Sequence, residues 1–155
     1  MEFECVLQKR VSCRKYNGKI VEKDKIAKIL NQMVLAPTAR HLQSYKVKVF
    51  DGVSVVGKVS SQAERVFGAS NALVFFAEKD EFFAIQDATI VCAYAQLVAT
   101  DEGLAALWIG VFDEEKVRFE CGVDANLKPV AILVVGYSDE ILVRPVRKEM
   151  RNILI

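Results

Sequence analysis

Hydrophobic positions along the chain fall into distinct periods. Ile26, Ile29, Leu30 and Met33 recur at the three- and four-residue spacing of one helix face, Glu22 and Asp24 favour the start of that helix, and Pro37 forbids its continuation. Tyr45, Val47 and Val49 alternate with Lys46 and Lys48, which predicts a strand over 45–50 with one buried and one wet face. Ala72 to Ala77 and Val130 to Tyr137 are unbroken apolar runs, the second rich in β-branched residues, and predict central strands covered on both faces. Asp87 to Thr100 is apolar almost all round, opens on an acid and ends near Gly103, so it predicts a buried helix with no polar face. Shorter signals surround these. Phe3, Val6 and Leu7 fit a short amphipathic helix, ahead of an extended stretch from Arg10 to Tyr16 and a turn at Asn17-Gly18. Residues 54–67 read as weakly helical. Asp113 predicts a cap for a helix through Phe119, with Glu114 and Glu115 in its first turn and Gly122 just past its end.

Helices mixed with a few strands, without repeats, low-complexity tracts or flexible linkers, predict one domain over residues 1–155. The apolar share of 52% is slightly above the globular norm and is spread along the chain, which points to additional buried surface such as a dimer interface. Residues 142–155 end on Ile153, Leu154 and Ile155, an apolar tail that a partner subunit would cover. Twenty-one basic against 20 acidic residues leave a net charge of +1, which provides no general field for nucleic acid or an anionic membrane. Cys5, Cys13, Cys92 and Cys121 form no CxxC pair, and with a single histidine no zinc-site spacing can be assembled, so reduced and buried thiols are expected. The opening MEFECVLQKR has neither the apolar core of a signal peptide nor a transmembrane anchor, and a cytoplasmic location is expected.

Four segments could carry chemistry. Arg10, Ser12 and Arg14 alternate with Val11, Cys13 and Lys15, and an extended backbone would present two guanidinium forks and a hydroxyl on one side, suited to a phosphate monoester. The same spacing also describes a solvated basic edge. Arg144, Arg147 and Lys148 form a second cationic group, which alone is a basic tail. The stretch APTARHLQSY, residues 36–45, joins a strong helix to a strong strand and holds His41, which reads as a hydrogen-bonding residue before it reads as a proton donor. In GLAALWIG, residues 103–110, Gly110 would let a flat ligand approach the backbone, while Trp108 reads as core before cofactor wall. Neither GxGxxG nor a Walker A pattern occurs, and no Ser-His-Asp or Cys-His arrangement is supported.

Taken together and in this order, the four segments resemble the nitroreductase family of FMN-dependent oxidoreductases. RVSCRKY, residues 10–16, is similar to the family's opening RxSxR-aromatic motif, which implies that Arg10, Ser12 and Arg14 contact the FMN phosphate and ribityl chain. APTARHLQSY resembles the motif laid against the flavin ring, which implies that Pro37, Thr38, Ala39, His41 and Gln43 are ring contacts, with His41 where the family usually has Asn. LWIG at 107–110 resembles the segment beside the isoalloxazine, implicating Ile109 and Gly110, and the C-terminal Arg-x-x-Arg-Lys implicates Arg147 and Lys148 in phosphate binding.

The resemblance implies an α+β sandwich, a central mainly antiparallel sheet flanked by helices, in an intertwined homodimer with two FMN sites built from both subunits. It implies ping-pong chemistry in which NADH or NADPH gives a hydride to flavin N5 and a small acceptor of nitroaromatic or quinone type receives the electrons. No side chain need act as catalytic acid or base, since the flavin carries the chemistry and the protein orients it. No nucleic acid, membrane or metal is expected to take part. Within the same resemblance, a specialised flavin enzyme of dehalogenase or flavin-fragmenting type, or a flavin-binding protein without turnover, are the alternatives.

Overall fold

The computed structural model describes residues 1–155. In chain order its elements are α1 (Phe3–Lys9), α2 (Lys23–Met33), β1 (Tyr45–Asp51), α3 (Ser54–Val59), β2 (Asn71–Glu78), α4 (Ala84–Asp101), β3 (Ala105–Ile109), α5 (Glu114–Cys121) and β4 (Leu127–Gly136), with short 3-10 turns at Ala39–His41, Ala63–Val66 and Met150–Asn152. The four strands form one sheet in the order β1-β2-β4-β3, and every neighbouring pair is antiparallel. This is the expected α+β sandwich.

The two unbroken apolar runs are the two inner strands, β2 and β4, because only a strand covered on both faces can bury consecutive side chains. Successive residues feed opposite cores. Ala72, Val74, Phe76, Ile132 and Val134 pack with α3, α5 and the Cys13–Tyr16 stretch, while Leu73, Phe75, Ala131, Leu133 and Val135 pack under α2 and α4. At the edge, β1 sends Tyr45, Val47 and Val49 to the second core and leaves Lys46 and Lys48 exposed, as its alternation predicts. Pro129 cannot donate to the ladder, and it lies where the register between β2 and β4 slips between Phe75 and Phe76. Gly136 closes the sheet against its neighbours: a Cβ there would sit 2.9 Å from the Tyr16 ring and 3.1 Å from Ser70 N.

Local signals at α5 hold in detail. Asp113 accepts hydrogen bonds from the N–H groups of Glu115 and Lys116, at 3.0 and 3.1 Å, and Gly122 ends the helix at φ 61°. Elsewhere the structure corrects the sequence reading. Residues 54–67 split into α3 and a 3-10 turn, separated by the extended Ser60. Helix α2 needs no correction: it ends at Met33, the last position of its apolar face and ahead of Pro37. Among the thiols, Cys13, Cys92 and Cys121 are buried but Cys5 is exposed.

The largest correction concerns α4. It starts at Ala84, ahead of Asp87, and its buried residues Ala88, Val91, Cys92, Ala95 and Ala99 lie against the sheet, but Ile85, Ile90 and Tyr94 are exposed on the other side. An all-round apolar helix is therefore covered on only one face by its own chain. The tail is uncovered too, with Ile141, Val143, Val146, Met150, Ile153, Leu154 and Ile155 all exposed. No helix is long and apolar enough to cross a membrane.

Candidate functional site

Arg10 ends α1, its N–H bonded to the Val6 carbonyl at 2.9 Å. The chain then runs extended beside β3, as the alternation predicts: Ser12 bridges Ala106 in parallel, and Cys13 N–H donates to the Ala106 carbonyl at 2.9 Å. Cys13 turns into the core, Arg10 and Ser12 stay half-buried, and Arg14 is exposed. The alternation lapses at Tyr16, which is buried in the same core as Cys13 instead of facing outward with Arg14.

The C-terminal basic segment returns to this place. The Arg144 guanidinium donates to the Gln8 carbonyl at 2.8 Å and to the Leu7 carbonyl, at the C-terminal end of α1 where unsatisfied carbonyls favour a cation. Burial first, and then the neighbouring Arg147 and Arg144 charges, hold the Arg10 guanidinium below its ordinary pKa. Two basic groups remote in sequence are thereby brought together. None of Arg10, Arg14, Arg144, Arg147 or Lys148 forms a salt bridge. Such crowding without a counter-charge suits a dianion such as a phosphate monoester, which bidentate guanidinium donors match in geometry. Arg147 and Lys148 are both exposed and make no hydrogen bond within the chain; of the two, only Arg147 acts on the Arg10 guanidinium.

The second group of residues is a loop of unusual backbone. Arg40, His41 and Gln43 have φ values of 50°, 56° and 54°, a left-handed conformation that costs a non-glycine residue on the order of 1–2 kcal/mol. The loop is held at both ends. Ala39 N–H donates to Asp87 Oδ1 at 2.9 Å, and Glu78 N–H donates to the Ser44 carbonyl at 3.1 Å. Inside it, the amide of Gln43 lies 3.4 Å from His41 Nε2, and both side chains are exposed. Thr38 Oγ1 is buried without any hydrogen-bond partner, and no other buried side-chain nitrogen or oxygen is orphaned. An unpaired hydroxyl beside a strained, polar loop fits a ligand with donors and acceptors along one edge.

At the end of β3, Gly110 is exposed and offers its backbone, whereas the Ile109 side chain is buried in the core, so only main-chain atoms of Ile109 remain for a ligand. Trp108 packs half-buried against the core under α4. Within one chain the groups do not converge. The loop at 37–43 is tied to the first turn of α4, Ser12 is tied to Ala106 just beyond the other end, and the 18 residues of α4 span roughly 27 Å. The largest cavity, about 540 Å³, lies elsewhere, between Gly18–Val21, the start of α2 and Asp51–Gly52, and is lined by none of these residues. Sequence reasoning assigned no site role to Asp87, and it counted Arg144 in the second cationic group without naming it as a phosphate contact. The only signal for Asp87 was an acid opening an otherwise apolar helix.

The model of the "Nitroreductase family" matches residues 7–65 and 55–137. A nitroreductase family protein from Clostridium difficile 630 superposes with a TM-score of 0.89 at 28% identity, covering 100% of this chain and 98% of that one. An FMN-dependent nitroreductase from Clostridium difficile R20291 gives 0.79 at 28% identity, over 95% and 92% of the two chains. A putative NADH oxidase from Clostridium acetobutylicum gives 0.83 at 25% identity, over 97% of each. No curated protein matches in sequence. With its family match extending over most of the chain and its fold shared nearly end to end, the protein belongs to the nitroreductase family.

Proposed function

We propose that this chain is a single-domain, cytoplasmic, FMN-dependent oxidoreductase that acts as a homodimer, taking electrons from NADH or NADPH and passing them to a small nitroaromatic- or quinone-type acceptor. The observation that carries the reading is the separation of two half-sites. The cationic cluster and the left-handed loop lie at opposite ends of α4, and between them is an apolar helix face that the chain leaves bare. A second copy related by a two-fold axis would cover that face and set one chain's cluster against the other's loop. The similar FMN-dependent nitroreductase and putative NADH oxidase support the cofactor and the donor.

In this arrangement Arg10, Ser12, Arg14, Arg147 and Lys148 hold the FMN phosphate and sugar chain. Pro37, Thr38, Ala39, His41 and Gln43 would hold the ring, together with the backbone of Ile109 and Gly110. When bound, FMN supplies hydride transfer between nicotinamide and acceptor. The orphaned Thr38 hydroxyl would gain a partner from the ring, and His41 would offer one hydrogen bond where an amide could offer two. Concentrated positive charge at the phosphate end favours the anionic ligand and gives it orientation. No side chain of the loop is placed to move a proton in this reading, so turnover depends on positioning.

The test is a visible spectrum of the purified protein after FMN is added and the excess removed, followed by anaerobic NADH and NADPH, with mass measured in solution. A retained flavin band that bleaches, on a dimer, is the expected outcome. Flavin that washes away, or a monomer that binds it fully, defeats the reading.

A further inference from the structure

Asp87 is the only charged residue among the buried ones, only 3% exposed, and it forms no salt bridge. A buried carboxylate without a cation is costly and calls for a reason. Part of its compensation is local, since it lies in the first turn of α4 where backbone N–H dipoles favour negative charge. Yet it does not cap that helix, whose N-terminus has no side-chain cap bond. Its hydrogen bond goes instead to the Ala39 N–H, 48 positions away in sequence, at the point where the chain enters its left-handed stretch.

The surroundings locate the charge further. After burial, the Asp87 carboxylate is what pushes the Tyr45 phenol up, so Asp87 faces the start of β1 as well as the loop leading into it. Residues 39–44 are therefore suspended between two anchors, the Asp87 carboxylate at one end and the β2 backbone, through Glu78 N–H, at the other. A carboxylate holds an N–H about twice as firmly as a neutral acceptor does. The strain at Arg40, His41 and Gln43 would otherwise relax toward ordinary backbone angles, moving Thr38 and His41 with it.

We infer that Asp87 is a positioning residue for the flavin: through Ala39 it holds the 38–43 loop in the conformation that receives the ring. This rests on the proposed FMN function. Helix packing is the competing role, and it makes a different forecast, because a side chain that only stabilises α4 has no effect on how a bound flavin is oriented.

Full-length wild-type, Asp87→Ala and Asp87→Asn proteins are titrated with FMN by flavin fluorescence, and their visible circular dichroism is recorded at saturation. D87A removes the acceptor and is expected to weaken FMN binding about tenfold and to alter the flavin dichroism. D87N keeps an acceptor oxygen and is expected to stay within about threefold of wild type with the native dichroism. The inference is overturned if D87A retains wild-type affinity and dichroism, if D87N is as impaired as D87A, or if D87A only lowers the flavin-free melting temperature. Should D87A not fold, Ala39→Pro removes the donor instead. Thr38, at φ −132° and ψ 150°, already has the backbone that precedes a proline, and this variant is expected to repeat the altered dichroism; native dichroism in it overturns the inference. A wild-type protein that binds no FMN defeats the functional reading itself and takes this inference with it.

Discussion

At one end of α4 a single buried carboxylate restrains a loop that is left-handed at three non-glycine positions, while at the other end Arg10, Arg144 and Arg147 crowd together with no acid between them. The first end stores its cost in backbone angles, the second in unneutralised charge. In the proposed FMN site each cost would be relieved by a different part of one ligand: a polar-edged ring would satisfy the loop and its orphaned Thr38 hydroxyl, and a phosphate would neutralise the guanidinium groups. The lesson is that one cofactor can be recognised by two physically unlike devices, which fail in distinguishable ways.

The strongest perturbation abolishes the difference by removing what both ends share. Leu133 is fully buried at the centre of β4 beneath α4, and Leu133→Ala is expected to cost about 2–5 kcal/mol in urea or guanidinium unfolding and to impair both ends together. An unchanged unfolding midpoint would mean that the sheet is not what fixes the two ends in place. Next in size, replacing Arg10 and Arg147 together by Ala should lower FMN affinity about a hundredfold while leaving riboflavin affinity unchanged, since riboflavin lacks the phosphate. Equal losses for the two ligands would place the phosphate elsewhere.

A smaller effect comes from the core and should touch neither end. Burial, the largest cause, and Glu120 push the Cys121 thiol up from 9.0 to about 11, with Lys48 opposing them, and burial raises Cys92 and Tyr16 in the same direction. The neutral thiol is favoured in the folded state, so its contribution to stability is full below 9.0 and is lost as pH rises through about 11. Urea midpoints across that range should fall, and fall less in Cys121→Ala; an identical slope in the variant would remove Cys121 from the account. Smallest is Asp113→Ala, which deletes the α5 cap and should cost about 1 kcal/mol without changing FMN affinity. A change in affinity would show that α5 is coupled to the site.

Elements governed by neighbours in sequence were legible. The α5 cap, the left-handed Gly103 and Gly122, the β1 alternation and the two inner strands all follow from spacing and residue type within a few positions. The candidate site was legible as four motifs, but their grouping was not. Nothing in RVSCR announces that Arg144 and Arg147 return to it across more than 130 positions, and nothing in APTARHLQ announces the bond to Asp87. Nor does LWIG announce that the Ile109 side chain faces the core and leaves only its backbone for a ligand.

By itself, the sequence determined the strongly periodic helices, which strands are central and which residue types are available for a phosphate and a flat ring, because periodicity, capping and side-chain chemistry are local properties. Tertiary structure alone decided that α4 is covered on one face only, that Pro129 lies at a slipped register, and that the cationic cluster and the left-handed loop stand at opposite ends of one helix. Those outcomes depend on which distant surfaces meet, and contacts between remote segments are set by the packing of the whole sheet and its helices.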